Sequence, residues 1–213
     1  MDIYESLAQS VVDYNPAGAG QAAQTIVDDG LDPLMGLEAI SGSMKIIGDG
    51  YSSGELWLPD LVAAADASQA AMPILEAEIK RRGEKSTSLG TVVIGTVKGD
   101  IHTIGKSMVG VLLTAAGFRV IDVGADVPAS GFVEAVEEND ADIVALSALL
   151  TTTAPQQGKV IEALIEAGLR DSVKIMVGGG AITPEFGDQI GADGYGGTAP
   201  SAVDLAKDLM AVE

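Results

Sequence analysis

Apolar residues in the first 82 positions recur at helical spacing. Ile3, Leu7 and Val11 share one helix face, and a longer stripe of the same kind runs from Leu61 to Ile79. Prolines at positions 16, 33 and 59 divide this segment, because proline disfavours helical geometry in the preceding residue yet fits the first helical turn. The pattern predicts four helices, near residues 2–14, 17–29, 33–51 and 59–82.

Three glycines stand at six-residue spacing in the third predicted helix, at Gly36, Gly42 and Gly48. Glycine weakens helix propensity but allows another backbone or a ligand to approach closely. We therefore expect close helix packing, or a ligand against the backbone, at these positions.

From residue 90 the pattern changes to short apolar runs, rich in β-branched residues, that alternate with helix-length segments. The runs lie at 91–97, 119–123, 143–146 and 173–177, with a last short one near Tyr195. TVVIGTV and VKIMV are apolar on consecutive positions, as expected of parallel strands buried on both faces. This alternation of strands and helices predicts an α/β domain with a five-stranded, doubly wound parallel sheet of flavodoxin-like (Rossmann-type) order. Its ligand crevice should lie at the carboxyl ends of the strands.

A polar stretch that contains one glycine separates the two patterns, as an interdomain linker would. The predicted organisation is a four-helix bundle domain at 1–82, a linker at 83–89 and an α/β domain at 90–213.

Composition narrows the functions that this fold can serve. The chain has 213 residues, of which 47% are hydrophobic, enough for one or two cores. It has neither an apolar run of the roughly 18 residues that a membrane span needs nor a signal-peptide pattern, so we expect a cytoplasmic protein that does not enter a membrane. A net charge of -19 makes nucleic acid an unfavourable partner, and the absence of cysteine excludes thiolate metal sites and cysteine nucleophiles.

The chain contains one histidine, His102, directly after the first predicted strand. Asp100, two residues earlier, is placed to accept a ring N–H, which would fix the tautomer and leave the other nitrogen free for a metal. Gly105 opens the next helix without side-chain bulk. A lone histidine is commonly a surface residue or a satisfied core residue, so these residues by themselves leave both interpretations open.

The wider motif is Asp100-x-His102-x-x-Gly105, then 41 residues, Ser147-x-Leu149, then 28 residues and Gly178-Gly179. This order and spacing resembles the cobalamin-binding signature of methionine synthase, corrinoid methyl-carrier proteins and B12-dependent mutases. In that family the lower nucleotide base leaves the cobalt and enters the domain as a tail, while the histidine replaces it. The resemblance implies that His102 is the cobalt ligand. Family members often read DxHDxGKN, whereas this chain has threonine and serine at positions 103 and 107.

The resemblance also assigns roles to the loop after the third strand. Thr153 would receive a hydrogen-bond relay from Asp100, Thr151 would approach the corrin edge, and Ser147 would bind the tail base. Proton uptake at Asp100 and His102 would tune the cobalt ligand. The alternative is that this hydroxyl-rich loop caps the helix that follows.

Glycines mark two further candidate contacts with the cofactor. Gly178 and Gly179 end a buried strand together with Gly180, where missing side chains would let a flat ring or a tail lie against the backbone. A plain turn is the alternative. Gly197 and Thr198 precede the last helix, whose N-terminal backbone N–H groups would meet a phosphate.

The segment GDGYSSGELWLPDLVAAADA is similar to the helical cap that precedes the cobalamin domain in methionine synthase and in corrinoid proteins of methanogens and acetogens. In those proteins an aromatic residue and a leucine seven positions later cover the upper face and shield the methyl group. Tyr51 and Leu58 match them here. Core packing is the alternative for both residues, and Trp57 suits the bundle core as well as the cap.

The function that the resemblance implies is that of a methyl carrier rather than a self-sufficient catalyst. The corrinoid would cycle between Co(I) and methyl-Co(III), as methylcobalamin. Its partners would be a substrate-specific methyltransferase, a second methyltransferase to coenzyme M or tetrahydrofolate, and a reductive activation protein. Methylated or quaternary amines are favoured as donors over methanol.

Two other functions use the same motif. A cobalamin-binding subunit of a B12-dependent mutase would not be expected to carry a four-helix cap directly upstream. A cobalamin-dependent sensor would ordinarily add a basic DNA-binding domain, which the acidic composition does not suggest.

Overall fold

The structure is a computed structural model that describes residues 2–83 and 88–210. The chain divides into two compact units, residues 1–88 with 114–117 and residues 89–113 with 118–213. The predicted linker at 83–89 includes residues 84–87, which lie outside the described residues. In the described ranges, none of the helices has both the length and the apolar character needed to cross a membrane.

Four helices form the first unit, as predicted. They are α1 (Ile3–Val12), α2 (Pro16–Asp28), α3 (Pro33–Ser53) and α4 (Leu58–Arg82). The side chains of Asp2, Asn15 and Asp32 accept hydrogen bonds from backbone N–H groups in the first turns of α1, α2 and α3. Such caps satisfy donors that have no partner within the helix, so they explain where these helices begin.

Close packing explains only one of the three glycines of α3 that stand at six-residue spacing. At Gly36 a Cβ atom would lie 2.9 Å from the Leu75 side chain, whereas at Gly42 nothing lies within 4 Å. A Cβ at Gly48 would make an ordinary van der Waals contact. The structure gives no packing reason for glycine at position 42.

An ion-pair cluster anchors the end of α4. The buried carboxylate of Glu78 accepts from Arg81 Nε at 2.6 Å and from Arg82 Nε at 2.7 Å. Arg82 also donates to the Leu31 carbonyl at 2.8 Å. Hydrogen bonds from the two guanidinium groups lower the pKa of Glu78 from 4.5 to about 2. The cluster therefore joins α4 to the loop between α2 and α3.

The second unit alternates strands and helices. Its strands are β1 (Thr91–Thr96), β2 (Arg119–Asp122), β3 (Ile143–Ser147), β4 (Lys174–Gly178) and β5 (Gly194–Gly196). Its helices are α5 (Ile104–Ala115), α6 (Ala129–Asn139), α7 (Pro155–Glu166), α8 (Pro184–Ile190) and α9 (Ala199–Met210). The strands are parallel in the order β2-β1-β3-β4-β5. The predicted flavodoxin-like sheet is therefore confirmed.

Successive side chains along each strand point to opposite faces of this sheet. Val144 and Ile175 belong to a core that includes Phe132 of α6 and Val160 of α7. The neighbouring residues Ile94, Ala145 and Met176 line a cavity that α5 and α9 also border. One face is thus filled by side chains, and the other keeps space beside the carboxyl ends of the strands.

Candidate functional site

Three polar side chains meet where β1 and β3 end. His102 Nδ1 lies 2.7 Å from Asp100 Oδ1, and Thr153 Oγ1 donates to Asp100 Oδ2 at 2.6 Å. Asp100 and Thr153 are buried, whereas the His102 side chain is 48% exposed. The structure therefore places Asp100 between a buried hydroxyl and an imidazole that solvent or a ligand can reach.

Backbone groups complete the surroundings of the Asp100 carboxylate. Oδ1 also accepts from the His102 N–H at 3.0 Å, and Oδ2 accepts from the Leu149 N–H at 2.8 Å. Burial by itself raises the pKa of Asp100, but hydrogen bonds from Thr153, His102 and Leu149 outweigh it and hold the pKa well below its usual range. Asp100 therefore stays ionised at neutral pH, which disfavours the expected proton uptake at this carboxyl.

The ionised carboxylate decides the tautomer of His102. A carboxylate without a proton can only accept hydrogen bonds, so the 2.7 Å contact requires a proton on Nδ1 of His102. The lone pair of Nε2 is then left for a metal.

Large apolar side chains that neighbour the site residues in the chain are exposed. Ile101 is 75% exposed and Ile104 is 81% exposed, and Leu149 and Leu150 are exposed as well. Single exposed apolar residues are ordinary on a protein surface, whereas several beside one site are typical of a binding surface. The surface around His102 therefore suits a large ligand with an apolar face.

A cavity of about 430 Å³ lies beside this surface, within the second unit. Most of the predicted cofactor-binding residues line it together, namely Gly105, Ser147, Gly178, Gly179, Gly197 and Thr198. The remaining two predicted residues of the β3–α7 loop, Leu149 and Thr151, are exposed. The structure thus brings six candidate residues together around the cavity and leaves His102, Leu149 and Thr151 exposed.

The glycines at the end of β4 allow backbone segments to approach one another. A Cβ at Gly179 would lie 2.0 Å from the Ala148 carbonyl oxygen, and Gly179 has a φ of +121°. A Cβ at Gly178 would lie 2.8 Å from the Gly196 carbonyl oxygen. Side chains here would clash with the neighbouring strand ends, so glycine is needed to build this wall of the cavity.

The loop after β3 does not cap α7 with a hydroxyl group. The N-cap residue is Ala154, and it makes no side-chain capping hydrogen bond. The Thr153 hydroxyl instead faces Asp100 and the Leu150 carbonyl. The capping alternative is therefore wrong for Thr153.

The start of α9 differs from the expected phosphate site. The Thr198 N–H donates to Ser201 Oγ at 2.9 Å, and the Ser201 N–H donates to Thr198 Oγ1 at 3.2 Å. Pro200 has no N–H to offer. The first turn thus uses its own side chains as acceptors, and a phosphate would have to displace them.

In the first unit, Tyr51 lies in the last turn of α3 and Leu58 begins α4, and both are half-buried. Trp57 is 73% exposed, and its backbone N–H donates to Asp60 Oδ2 at 2.7 Å. The interpretation of Trp57 as a bundle-core residue is therefore wrong.

Sequence reasoning missed two residues that support the site. Lys106 is buried, lines the cavity and binds both carboxylate oxygens of Asp122. Thr96 is also buried, and its hydroxyl donates to the His102 carbonyl at 3.1 Å. Lys106 could have been noticed as a single charge in the otherwise apolar helix that follows Gly105.

The donor set limits the kind of metal site that the chain can form. Within residues 2–83 and 88–210, no group of three or more His, Asp or Glu side chains is placed to hold a metal ion. The sequence has no cysteine. A metal bound at His102 would have to bring most of its own ligands, as cobalt does in a corrin ring. The exposed apolar surface and the cavity fit such a group with a tail.

Comparisons with known proteins point to the same cofactor. Two family models, both described as a B12 binding domain, match residues 90–204 and 3–76. A corrinoid protein of Desulfitobacterium hafniense is 41% identical over 212 residues, covering 99% of this chain and 98% of that protein. Trimethylamine corrinoid protein 2 of Methanosarcina acetivorans is 44% identical over 207 residues, covering 97% of this chain and 95% of that protein.

Solved structures are similar over nearly the whole chain. The methanol:cobalamin methyltransferase complex of Methanosarcina barkeri contains a chain that matches with a TM-score of 0.79 and 28% identity, covering 99% of this chain and 80% of that one. The monomethylamine corrinoid protein of Methanosarcina barkeri matches with a TM-score of 0.54 and 31% identity, covering 97% of this chain and 98% of that one.

Proposed function

Because this chain belongs to the family of B12-binding corrinoid proteins, we propose that it carries a methyl group on the cobalt of a bound corrinoid between two methyltransferases. The observation that carries the proposal is the hydrogen bond from His102 Nδ1 to Asp100, which leaves Nε2 for the cobalt. When bound, the corrinoid supplies a cobalt centre that accepts and releases the methyl group.

The protein's own part is to hold the lower ligand in place. His102 would give Nε2 to the cobalt, and Asp100 holds the ring through Nδ1. Thr153 and the Leu149 N–H keep Asp100 ionised and fixed. Because Asp100 and Thr153 are buried, water competes little for these hydrogen bonds.

The cavity beside the sheet would take the nucleotide tail. Ser147 would contact the base, and the backbone at Gly178 and Gly179 would form the wall against which the tail lies. Gly105 and Gly197 would leave room at the entrance. The N–H and the hydroxyl of Thr198 both contact Ser201, so Thr198 would contact the tail by exchanging one of these hydrogen bonds.

The helical unit would protect the methyl group. Tyr51 and Leu58 are the residues proposed to cover the upper face of the cofactor, as the resemblance to the cap of methionine synthase implies. The exposed Trp57 next to Leu58 is a further candidate.

A methylated amine is the proposed source of the methyl group. Relatives that align over most of this chain bear the names trimethylamine and dimethylamine corrinoid protein. A substrate-specific methyltransferase would load the corrinoid, a second methyltransferase would pass the group to coenzyme M or tetrahydrofolate, and an activation protein would restore the reduced cobalt. The mutase and sensor alternatives are not favoured, because the relatives compared above bear the name corrinoid protein and align with this chain over nearly their whole length.

Methyl transfer from a panel of donors tests this assignment. The corrinoid-loaded chain is combined with trimethylamine, dimethylamine, monomethylamine or methanol methyltransferases, and methylation is followed by its visible absorption. We expect methylation with at least one amine-specific enzyme, and with methanol only at a lower rate. Failure with every partner, despite bound and reduced corrinoid, would reject the carrier function.

A further inference from the structure

The loop that carries His102 is held by a residue from another part of the sheet edge. Asp126, in the loop between β2 and α6, accepts from the Gly99 N–H through Oδ1 at 2.7 Å. The Asp126 N–H donates to the Asp100 carbonyl at 2.9 Å. Lys98 Nζ lies 3.1 Å from Asp126 Oδ1. One residue therefore contacts the three consecutive residues that lead to His102.

These contacts differ from those made by the Asp100 side chain. The Asp100 carboxylate binds groups from its own loop and from the loop after β3. Asp126 instead fixes the backbone from which that carboxylate projects, and Thr96 fixes the far side through the His102 carbonyl. The direction of Asp100 is thus set by backbone contacts on both sides of it.

The backbone is left-handed at both residues of this contact, although they lie in different loops. Gly99 has a φ of +82°, and Asp126 has a φ of +55°. Left-handed geometry is uncommon for residues other than glycine, although aspartate and asparagine tolerate it better than most. Such a conformation persists where surrounding contacts determine it and is concentrated at functional sites.

Among the contacts of Asp126, the one to Gly99 is the strongest. The Lys98–Asp126 pair has side-chain exposures of 56% and 49%, and exposed ion pairs contribute little. A short hydrogen bond from a backbone N–H to an ionised acceptor is stronger than a neutral one. The Gly99 N–H, followed by Lys98, also lowers the pKa of Asp126, so its carboxylate is charged at neutral pH.

We propose that Asp126 is a positioning residue for His102: by fixing the backbone of Lys98 to Asp100, it aims the Asp100 carboxylate at Nδ1 and so orients the imidazole. The inference rests on the proposed function, in which the oriented Nε2 binds cobalt. Its effect is nevertheless measurable without cofactor, because it acts on the hydrogen bond between His102 and Asp100.

Two variants and one matched control separate positioning from general stability. Asp126→Gly removes the side-chain contacts while suiting the left-handed backbone better than aspartate does. Asp126→Asn keeps an oxygen for the Gly99 N–H but loses the charge. Asp140→Gly is the control, because Asp140 is another left-handed aspartate, with a φ of 47°, that ends α6.

The readout is the imidazole NMR signal of the cofactor-free full-length protein, which is unambiguous because the sequence has one histidine. Wild type and Asp140→Gly should show a proton on Nδ1 that exchanges slowly with water. In Asp126→Gly this exchange should be about fivefold faster, the factor that corresponds to losing one hydrogen bond of ordinary strength. Asp126→Asn should give an intermediate rate.

Exchange in Asp126→Gly that equals the Asp140→Gly rate would overturn the inference. If the glycine variant does not fold, the test rests on Asp126→Asn. Exchange of the Nδ1 proton at the wild-type rate in that variant would overturn the inference. Electron paramagnetic resonance of the Co(II) corrinoid complex then separates the two proposals. Absent nitrogen coupling in wild type would reject His102 as the ligand, whereas equal coupling in wild type and Asp126→Gly would reject only the role of Asp126.

Discussion

Thr153 Oγ1 lies 2.6 Å from Asp100 Oδ2, although the two residues are 53 positions apart in the chain. The threonine comes from the loop after β3 and the aspartate from the loop after β1. Because both side chains are buried, this hydrogen bond joins the two loops in an environment where an unsatisfied group is costly. The site therefore depends on a contact that only the folded sheet can create.

Replacing Thr153 with valine should destabilise the protein. The change keeps the shape of the side chain but removes the hydroxyl donor to Oδ2 of a buried carboxylate, which keeps only backbone donors there, at a cost of about 1–3 kcal/mol. Thr153→Ser keeps the hydroxyl group and should lose much less. Urea unfolding of the two variants measures the difference, and equal stabilities would show that the hydroxyl does not stabilise Asp100.

Glycine substitutions should have opposite effects in the two units. Gly179→Ala places a Cβ 2.0 Å from the Ala148 carbonyl oxygen at a φ of +121°, so it should destabilise the unit and abolish tight corrinoid binding. Gly42→Ala meets nothing within 4 Å inside α3 and should stabilise the protein by about 0.4–1 kcal/mol. Thermal unfolding and corrinoid titration of both variants provide the test. A harmless Gly179→Ala would contradict the close approach of the strand ends.

The Glu78 cluster should make the helical unit sensitive to acid. Arg81 and Arg82 lower the pKa of Glu78 from 4.5 to about 2, so the folded state binds this proton less readily than the unfolded state does. The stabilisation is therefore fully present above pH 4.5 and is lost as the pH falls towards 2.

Unfolding of wild type and Glu78→Gln at several pH values measures this contribution. The difference between their unfolding free energies should be largest at neutral pH and should shrink across the acid range. A difference that stays constant between neutral pH and pH 2 would show that the charge of Glu78 does not contribute.

Residues 90–213 should fold and bind corrinoid without the helical unit. The sheet has its own core, and the cavity is lined by residues of this segment alone. A purified fragment should show cooperative unfolding and bind hydroxocobalamin with the lower base displaced. An insoluble fragment, or a folded one that does not bind the cofactor, would contradict the proposed division into domains.

The sequence was sufficient to predict most of the fold. Buried parallel strands leave continuous β-branched runs such as Thr91–Thr96, and proline with an N-cap marks the start of helices such as α3. These signals depend only on neighbouring residues, so they can be recognised in the sequence alone. The pairing of Asp100 with His102 was predictable for the same reason, since the two residues are separated by one position.

Contacts that depend on distant loops could not be predicted in this way. Asp126 acts on Gly99 through a left-handed turn 27 residues away, and no periodic pattern signals such a turn. The hydrogen bond from the Thr198 N–H to Ser201 Oγ depends on the geometry of the turn before α9, which the sequence pattern does not signal. Trp57 stands before α4, where helical periodicity does not determine exposure.

In the proposed function, His102 supplies the lower nitrogen ligand of cobalt. The most direct test is electron paramagnetic resonance of the Co(II) corrinoid complex, prepared with natural histidine and with nitrogen-15 histidine, in wild type and His102→Ala. With one histidine in the chain, the isotope should change the nitrogen splitting of wild type, and His102→Ala should lose it while keeping bound corrinoid. A nitrogen splitting that is the same with both isotopes, or that persists in His102→Ala, would mean that another nitrogen binds the cobalt.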